Sequence, residues 1–178
     1  FRRVLFRSNI RNPKYNTNIN PKYNTKINPK YNTKINPKYN TLINLKYNTK
    51  INPKYNTLIN PKYNTKINPK YNTLINPKYN TKINPKYNRT LNPKYGNDFQ
   101  GLFLFNLETK FSLYIIRIED IILLFNERDE FTNYGVKHSE NGFLIYDTNQ
   151  NLISHFESNG ENGFNEFDLE NNWINYIM

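Results

Sequence analysis

Tyrosine occupies every eighth position from Tyr15 to Tyr95, inside the recurring unit Ile-Asn-Pro-Lys-Tyr-Asn-Thr-x. This register constrains the chain more than any other feature. Proline at 13, 21, 29, 37, 53, 61, 69, 77, 85 and 93 excludes an α-helix, because each one inside a helix costs roughly 3 kcal/mol. So uniform a sequence also lacks the varied shapes that interlock in an ordinary core. Asn-Pro-Lys-Tyr suits a type I turn, with Asn first and Pro second. The intervening Tyr-Asn-Thr-Lys-Ile suits a short strand. In an extended register Ile19, Pro21, Tyr23 and Thr25 would share one face and Asn20, Lys22, Asn24 and Lys26 the other. Each unit then has one Ile and one Tyr to bury, and the prolines remove ladder donors. The expectation is a flexible, turn-rich tract rather than an ordered β-solenoid with a tyrosine ladder.

A second period lies over the first. The residue before Ile alternates as Lys34, Leu42, Lys50, Leu58, Lys66, Leu74, Lys82, as duplication of paired units would leave it. Leu45 replaces one proline, and Asn88-Arg89-Thr90-Leu91 interrupts the pattern. Near-identity of this kind implies that length matters more than any single unit. Residues 1–11 are read apart from the tract. Phe1 to Ser8 matches a translated sequencing adapter ending in GTGCTCTTCCGATCT, so this leader is expected to be non-native. On that reading the expectation is a metagenomic fragment of bacterial origin, with room for further repeats upstream.

Charge divides the chain where the repeats end. Residues 1–96 hold 21 Lys or Arg and no acid, whereas residues 97–178 hold four basic residues and all 14 acids. The net charge of +11 therefore describes neither part. A low-G+C genome accounts for much of the Lys, Asn, Ile, Tyr and Phe. The division itself points to a polyanion-seeking arm or to two parts that attract each other. The chain has no cysteine, so disulfides and thiolate metal sites are excluded. No apolar run approaches the ~18 residues of a membrane-spanning helix.

Beyond residue 98 a slower repeat of about 21 residues takes over. Phe105, Phe125, Tyr146 and Phe167 each precede a polar turn opened by Asn106, Asn126, Asp147 or Asp168. Six residues after each aromatic stands Phe111, Phe131, Leu152 or Trp173, and three further on Tyr114, Tyr134, His155 or Tyr176. Short apolar runs lead into each aromatic: Leu102 to Phe105, Ile122 to Phe125, Phe143 to Tyr146, Phe164 to Phe167. The pattern is strand, Asx turn, strand, four times over. The fold class expected is all-β: four hairpin units over residues 99–178, pseudo-fourfold, with the repeated aromatics lining a shared core. These hairpins, with the closing stretch from Asn159 to Trp173, resemble the four-fold β-flower proteins. The resemblance covers residues 99–178 and implies a small bacterial domain of no established activity. It carries over no catalytic residue.

Reaction chemistry is hard to place on this chain. There is no Gly-rich phosphate loop. Ser154 and His155 adjoin in a strand, too close in sequence for a triad. His155 fills the slot held by tyrosine in the other units and reads as packing; His138 reads as a solvated loop residue. Asp147, Asn149 and Asn151 have the opening spacing of a calcium loop, but Leu152 and Ser158 stand where it needs Gly and Glu, so a turn is expected. The remaining acids read as a solvated rim. No catalytic residue, cofactor or metal is therefore expected. The function expected is a non-enzymatic structural or protein-binding module on a basic spacer. The alternative is binding of nucleic acid or another polyanion, with Lys22, Tyr23, Lys38, Tyr39, Lys54, Tyr55, Lys70, Tyr71, Lys86 and Tyr87 as candidate contacts.

Overall fold

The computed structural model describes residues 12–95 and 99–178, so the reading of 1–11 as a non-native leader lies outside the described residues. The C-terminal part is all-β. Eight strands form a closed antiparallel barrel in simple meander order: β1 Leu102–Asn106, β2 Phe111–Ile118, β3 Ile121–Phe125, β4 Phe131–Ser139, β5 Gly142–Asp147, β6 Leu152–Ser158, β7 Phe164–Asp168 and β8 Trp173–Ile177. β1 closes on β8 through Leu104–Ile177 and Asn106–Asn175.

Four equivalent turns make the four hairpins. In each, the opening Asn or Asp accepts two backbone N–H groups on Oδ1, as Asn106 does from Glu108 and Lys110 at 3.0 and 2.9 Å. The fourth turn position is left-handed in all four: Thr109, Asp129, Gln150 and Asn171, with φ between 62° and 70°. A register shift falls at Phe105, Phe125, Tyr146 and Phe167, so each bulge re-aims the aromatic. Asp147, Asn149 and Asn151 form such a turn, as expected.

Strand alternation sends two sets of side chains in opposite directions. One set includes Leu104, Ile115, Ile122, Leu124, Phe143, Ile145, Phe156 and Ile177. Its members touch across non-neighbouring strands: the Phe143 and Phe164 rings lie 5.7 Å apart, and Arg117 lies 5.8 Å over Phe143. This set lines the barrel interior. Gly135 faces the same interior, where a Cβ would strike Ile122 and Ile145. The other set carries the repeated aromatics and points outward. Its rings pair between adjacent strands at fourfold-equivalent positions: Tyr114–Phe125 at 5.5 Å, Tyr134–Tyr146 at 5.6 Å and Tyr176–Phe105 at 5.8 Å are stacked, and His155–Phe167 at 5.6 Å is tilted. The aromatics thus form a girdle rather than the central core expected. An eight-stranded barrel has room inside for only a thin filling.

The girdle is nonetheless buried, because the repeat tract lies on it. Leu45, Ile51, Ile59 and Ile75 pack into the same cluster as Phe103, Tyr114, Phe125, Tyr134 and Tyr146. The tract is turn-rich, as expected, and its described residues hold no strand. It is also regular. Two turns make each eight-residue coil. In the first, Asn28 O accepts from Tyr31 and Asn32 N–H at 3.0 and 2.9 Å, and Asn28 Oδ1 accepts from Lys30 N–H at 2.9 Å. In the second, Asn32 O accepts from Ile35 N–H and Asn32 Oδ1 from Lys34 N–H, at 3.3 and 3.2 Å. Successive coils are joined by the same side chains: Asn28 Nδ2 donates to Pro21 O at 2.9 Å and Asn32 Nδ2 to Lys26 O at 2.7 Å. This pattern persists through Leu45, whose carbonyl accepts from Asn52 at 2.7 Å, and through Arg89 to Leu91, where Asn88 still bonds Thr90 N–H at 3.1 Å. Neither irregularity breaks the coil.

The extended register therefore does not occur. Ile and Pro face the barrel, while every described tract tyrosine faces solvent, between 58% and 72% exposed. Turns rotate the chain at Asn-Pro-Lys-Tyr, so Tyr23 leaves the face of Ile19 and Pro21.

Candidate polyanion-binding surface

Two faces of the coil have opposite characters. The inward face is joined to the barrel by polar contacts that advance around it. Lys94 Nζ meets Asp129 Oδ2 in the second hairpin turn at 3.0 Å. Further back, Asn68 Nδ2 donates to Gln150 Oε1 in the third turn at 2.9 Å, and Tyr146 O–H donates to Ile59 O at 3.0 Å. Further back still, Lys38 Nζ donates to Asn172 Oδ1 in the fourth turn at 2.8 Å, and Asn165 Nδ2 to Ile27 O at 3.0 Å. The partner moves from second to third to fourth hairpin as the tract is followed toward its start. The tract is thus a belt along the barrel's circumference, and its opposite charge is used in docking. Desolvation alone would raise the carboxyl of Asp147, but bonds from Asn151 and Asn149 and the charge of Lys62 hold it below its ordinary value. Asp168 is held down against desolvation in the same way by Asn172, Glu170 and Lys38.

The outward face carries the candidate contacts. Lys22, Lys38, Lys54, Lys70 and Lys86, with Tyr23, Tyr39, Tyr55, Tyr71 and Tyr87, are all exposed, on the same two positions of their coils. Lys22, Lys54 and Lys70 lie over the rings of Tyr23, Tyr55 and Tyr71 at 5.6 to 5.7 Å, which keeps cation and ring together. Lys38 differs, being bonded to Asn172. Between these rows stand further exposed lysines at 26, 34, 50, 66 and 82 and, in alternation, Leu42, Leu58 and Leu74, each 73% exposed. The result is a ribbon of ammonium groups and free ring faces without a carboxylate of its own.

Between β4 and β6 lies a buried polar cluster that the sequence reading missed. Glu157 Oε1 lies 3.1 Å from both His155 Nδ1 and His138 Nε2, and all three side chains are almost wholly buried. His138 is part of β4, not a solvated loop, because that strand runs on to Ser139. Its nitrogen is close to Glu157 but off the angle of a hydrogen bond. His155 does pack against Phe167 in the tyrosine slot, as expected. A second buried carboxylate, Glu166, sits in the barrel interior with Ser154 and Asn175 donating to it, each at 2.6 Å. Desolvation raises its pKa above the ordinary value. Glu157 and Glu166 thus depart from the solvated rim expected of the acids. The alternation His155, Glu157 on one face of β6 was the available signal.

Among the described residues no group of three or more His, Asp or Glu is placed to hold a metal ion, and no helix is long and apolar enough to cross a membrane. Comparison with protein-family models, curated proteins and solved structures found no match to this chain.

Proposed function

We propose that this protein is a non-enzymatic binding module whose working surface is the outward ribbon of the belt, and that the ligand is a single-stranded nucleic acid. The observation that carries this reading is the recurring pairing of an exposed Lys with an exposed Tyr along the tract, six such pairs in cation–ring contact among the described residues. Regularly spaced ammonium groups suit a phosphate backbone, and free ring faces suit stacked bases without regard to sequence. Docking to the barrel supports the reading further, since it holds the ribbon in a fixed curve rather than leaving a loose arm. The four equivalently placed ring pairs and four equivalent turns support, in the same spirit, a kinship of the barrel with the four-fold β-flower proteins.

Fluorescence anisotropy with a labelled oligothymidylate tests it. Binding at 50 mM salt should weaken linearly in log–log form as salt rises, with a slope near −0.7 per phosphate contact. Replacing Lys54, Lys70 and Lys86 by Gln should lower the slope. Replacing Tyr55 and Tyr71 by Ala should cost about 1–3 kcal/mol per stacked base and leave binding of a base-free polyanion such as heparin unchanged. Absence of binding at 50 mM salt would sink the proposal. Equal loss for both ligands would assign the ribbon to polyanions in general.

A further inference from the structure

We infer that the barrel interior is a second, independent ligand site, for a small apolar molecule bearing one carboxylate. At the end opposite the four hairpin turns the interior is not filled. A cavity of about 240 Å³ remains, lined by Leu102, Ile115, Ile122, Phe143, Phe156 and Ile177 among others, with Arg117 at its rim. An apolar cavity of about 150 Å³ suffices to take up benzene, so this one holds a single ring with a substituent or a short alkyl chain. Mouths of β-barrels are frequent ligand sites for this reason.

The polar part of the ligand follows from the rim. Arg117 is the charged residue among the lining side chains. Its Nε–H donates to Glu119 O at 3.0 Å, and its guanidinium lies 5.8 Å from the centre of the Phe143 ring. No carboxylate forms an ion pair with Arg117 among the described residues. Two acids near this end, Asp120 and Glu140, both pair with Lys137, at 3.6 and 2.9 Å. A fork of N–H donors at an apolar mouth matches a carboxylate in charge and shape. The buried Glu166 lies one layer deeper, occupied by Ser154 and Asn175. A groove of about 800 Å³ between tract residues 17–27 and the barrel end borders the cavity, sharing Gln100, Gly101 and Leu102 with it.

Octanoate and octanol serve as probes, with NMR of the Ile115, Ile122 and Ile177 methyl groups as readout on the full chain. Octanoate should shift all three, and Arg117→Gln should weaken octanoate about tenfold while leaving octanol unchanged. Ile122→Phe, which fills the cavity, should abolish both shifts; the remaining methyl spectrum reports whether that variant stays folded. Unmoved methyls at millimolar octanoate would overturn the site. Octanoate binding that is indifferent to Arg117→Gln would overturn the carboxylate assignment.

Discussion

Asparagine does with one side chain in the tract what a backbone ladder does in a sheet. Its Oδ1 closes a turn and its Nδ2 reaches the previous coil, so both halves of the amide are used. Asn68 is the clearest case: 1% exposed, it donates to Pro61 O at 2.7 Å and accepts from Lys70 N–H at 2.9 Å. Asn68→Asp keeps the acceptor but loses the donor and buries a charge. It should cost at least about 1–3 kcal/mol in urea unfolding, whereas exposed Lys70→Ala should change stability by less than about 0.5 kcal/mol. Equal effects would show that the amide does not join coils. The turn-forming role of Asn was legible in the sequence, because Asn-Pro and Asn-Thr are turn openings. The coil-joining role was not, since a donor's partner six or seven residues away depends on how tightly the turns wind. Glu166 makes a second prediction at this scale. Its folded pKa lies above the ordinary carboxyl value of 4.5. Its contribution is therefore complete below about 4.5 and is lost as pH rises through the folded value. Glu166→Gln, which can still bond Ser154 and Asn175, should raise the melting temperature at pH 8 more than at pH 4.

The strands record the belt more plainly than the tract does. β3, Ile121–Phe125, is buried at all five positions; a small barrel standing alone would expose every second one. Leu102 to Phe105 and Phe143 to Tyr146 are apolar on both faces too, a pattern proper to sheets covered on both sides. The eight strands, the four turns and the aromatic slots were legible because period-two alternation and Asx turns are local. Which face the aromatics take was not, because it depends on the tract supplying the outer cover. Ile59 tests the packing: buried against the girdle, its change to Ala should cost about 2–4 kcal/mol. Tyr146→Phe removes the donor to Ile59 O and should cost about 1 kcal/mol. If both variants unfold with wild-type midpoints, the belt contributes nothing to the barrel.

At the scale of the molecule, the charge division becomes intelligible as assembly. Acids at the hairpin turns meet lysines on the inner edge of the belt, and the unpaired lysines remain outside. Asp147 and Asp168 have folded pKa values below 3.8. Their contribution is present above about pH 3.8 and lost as pH falls through those lower values, so acid should loosen the third and fourth hairpin turns, whose own bonds hold these carboxylates down. The Lys94–Asp129 pair is partly buried, but most of the attachment is apolar. The central claim is that the octapeptide tract is an ordered belt on the barrel. Amide hydrogen exchange on the full chain addresses it directly. The amides of each Tyr and of the Asn that follows it, from Tyr31 to Asn88, each closing a turn, should be protected alongside β1 to β8. Exchange of those amides at the rate of an unstructured peptide, with the barrel still protected, would contradict it.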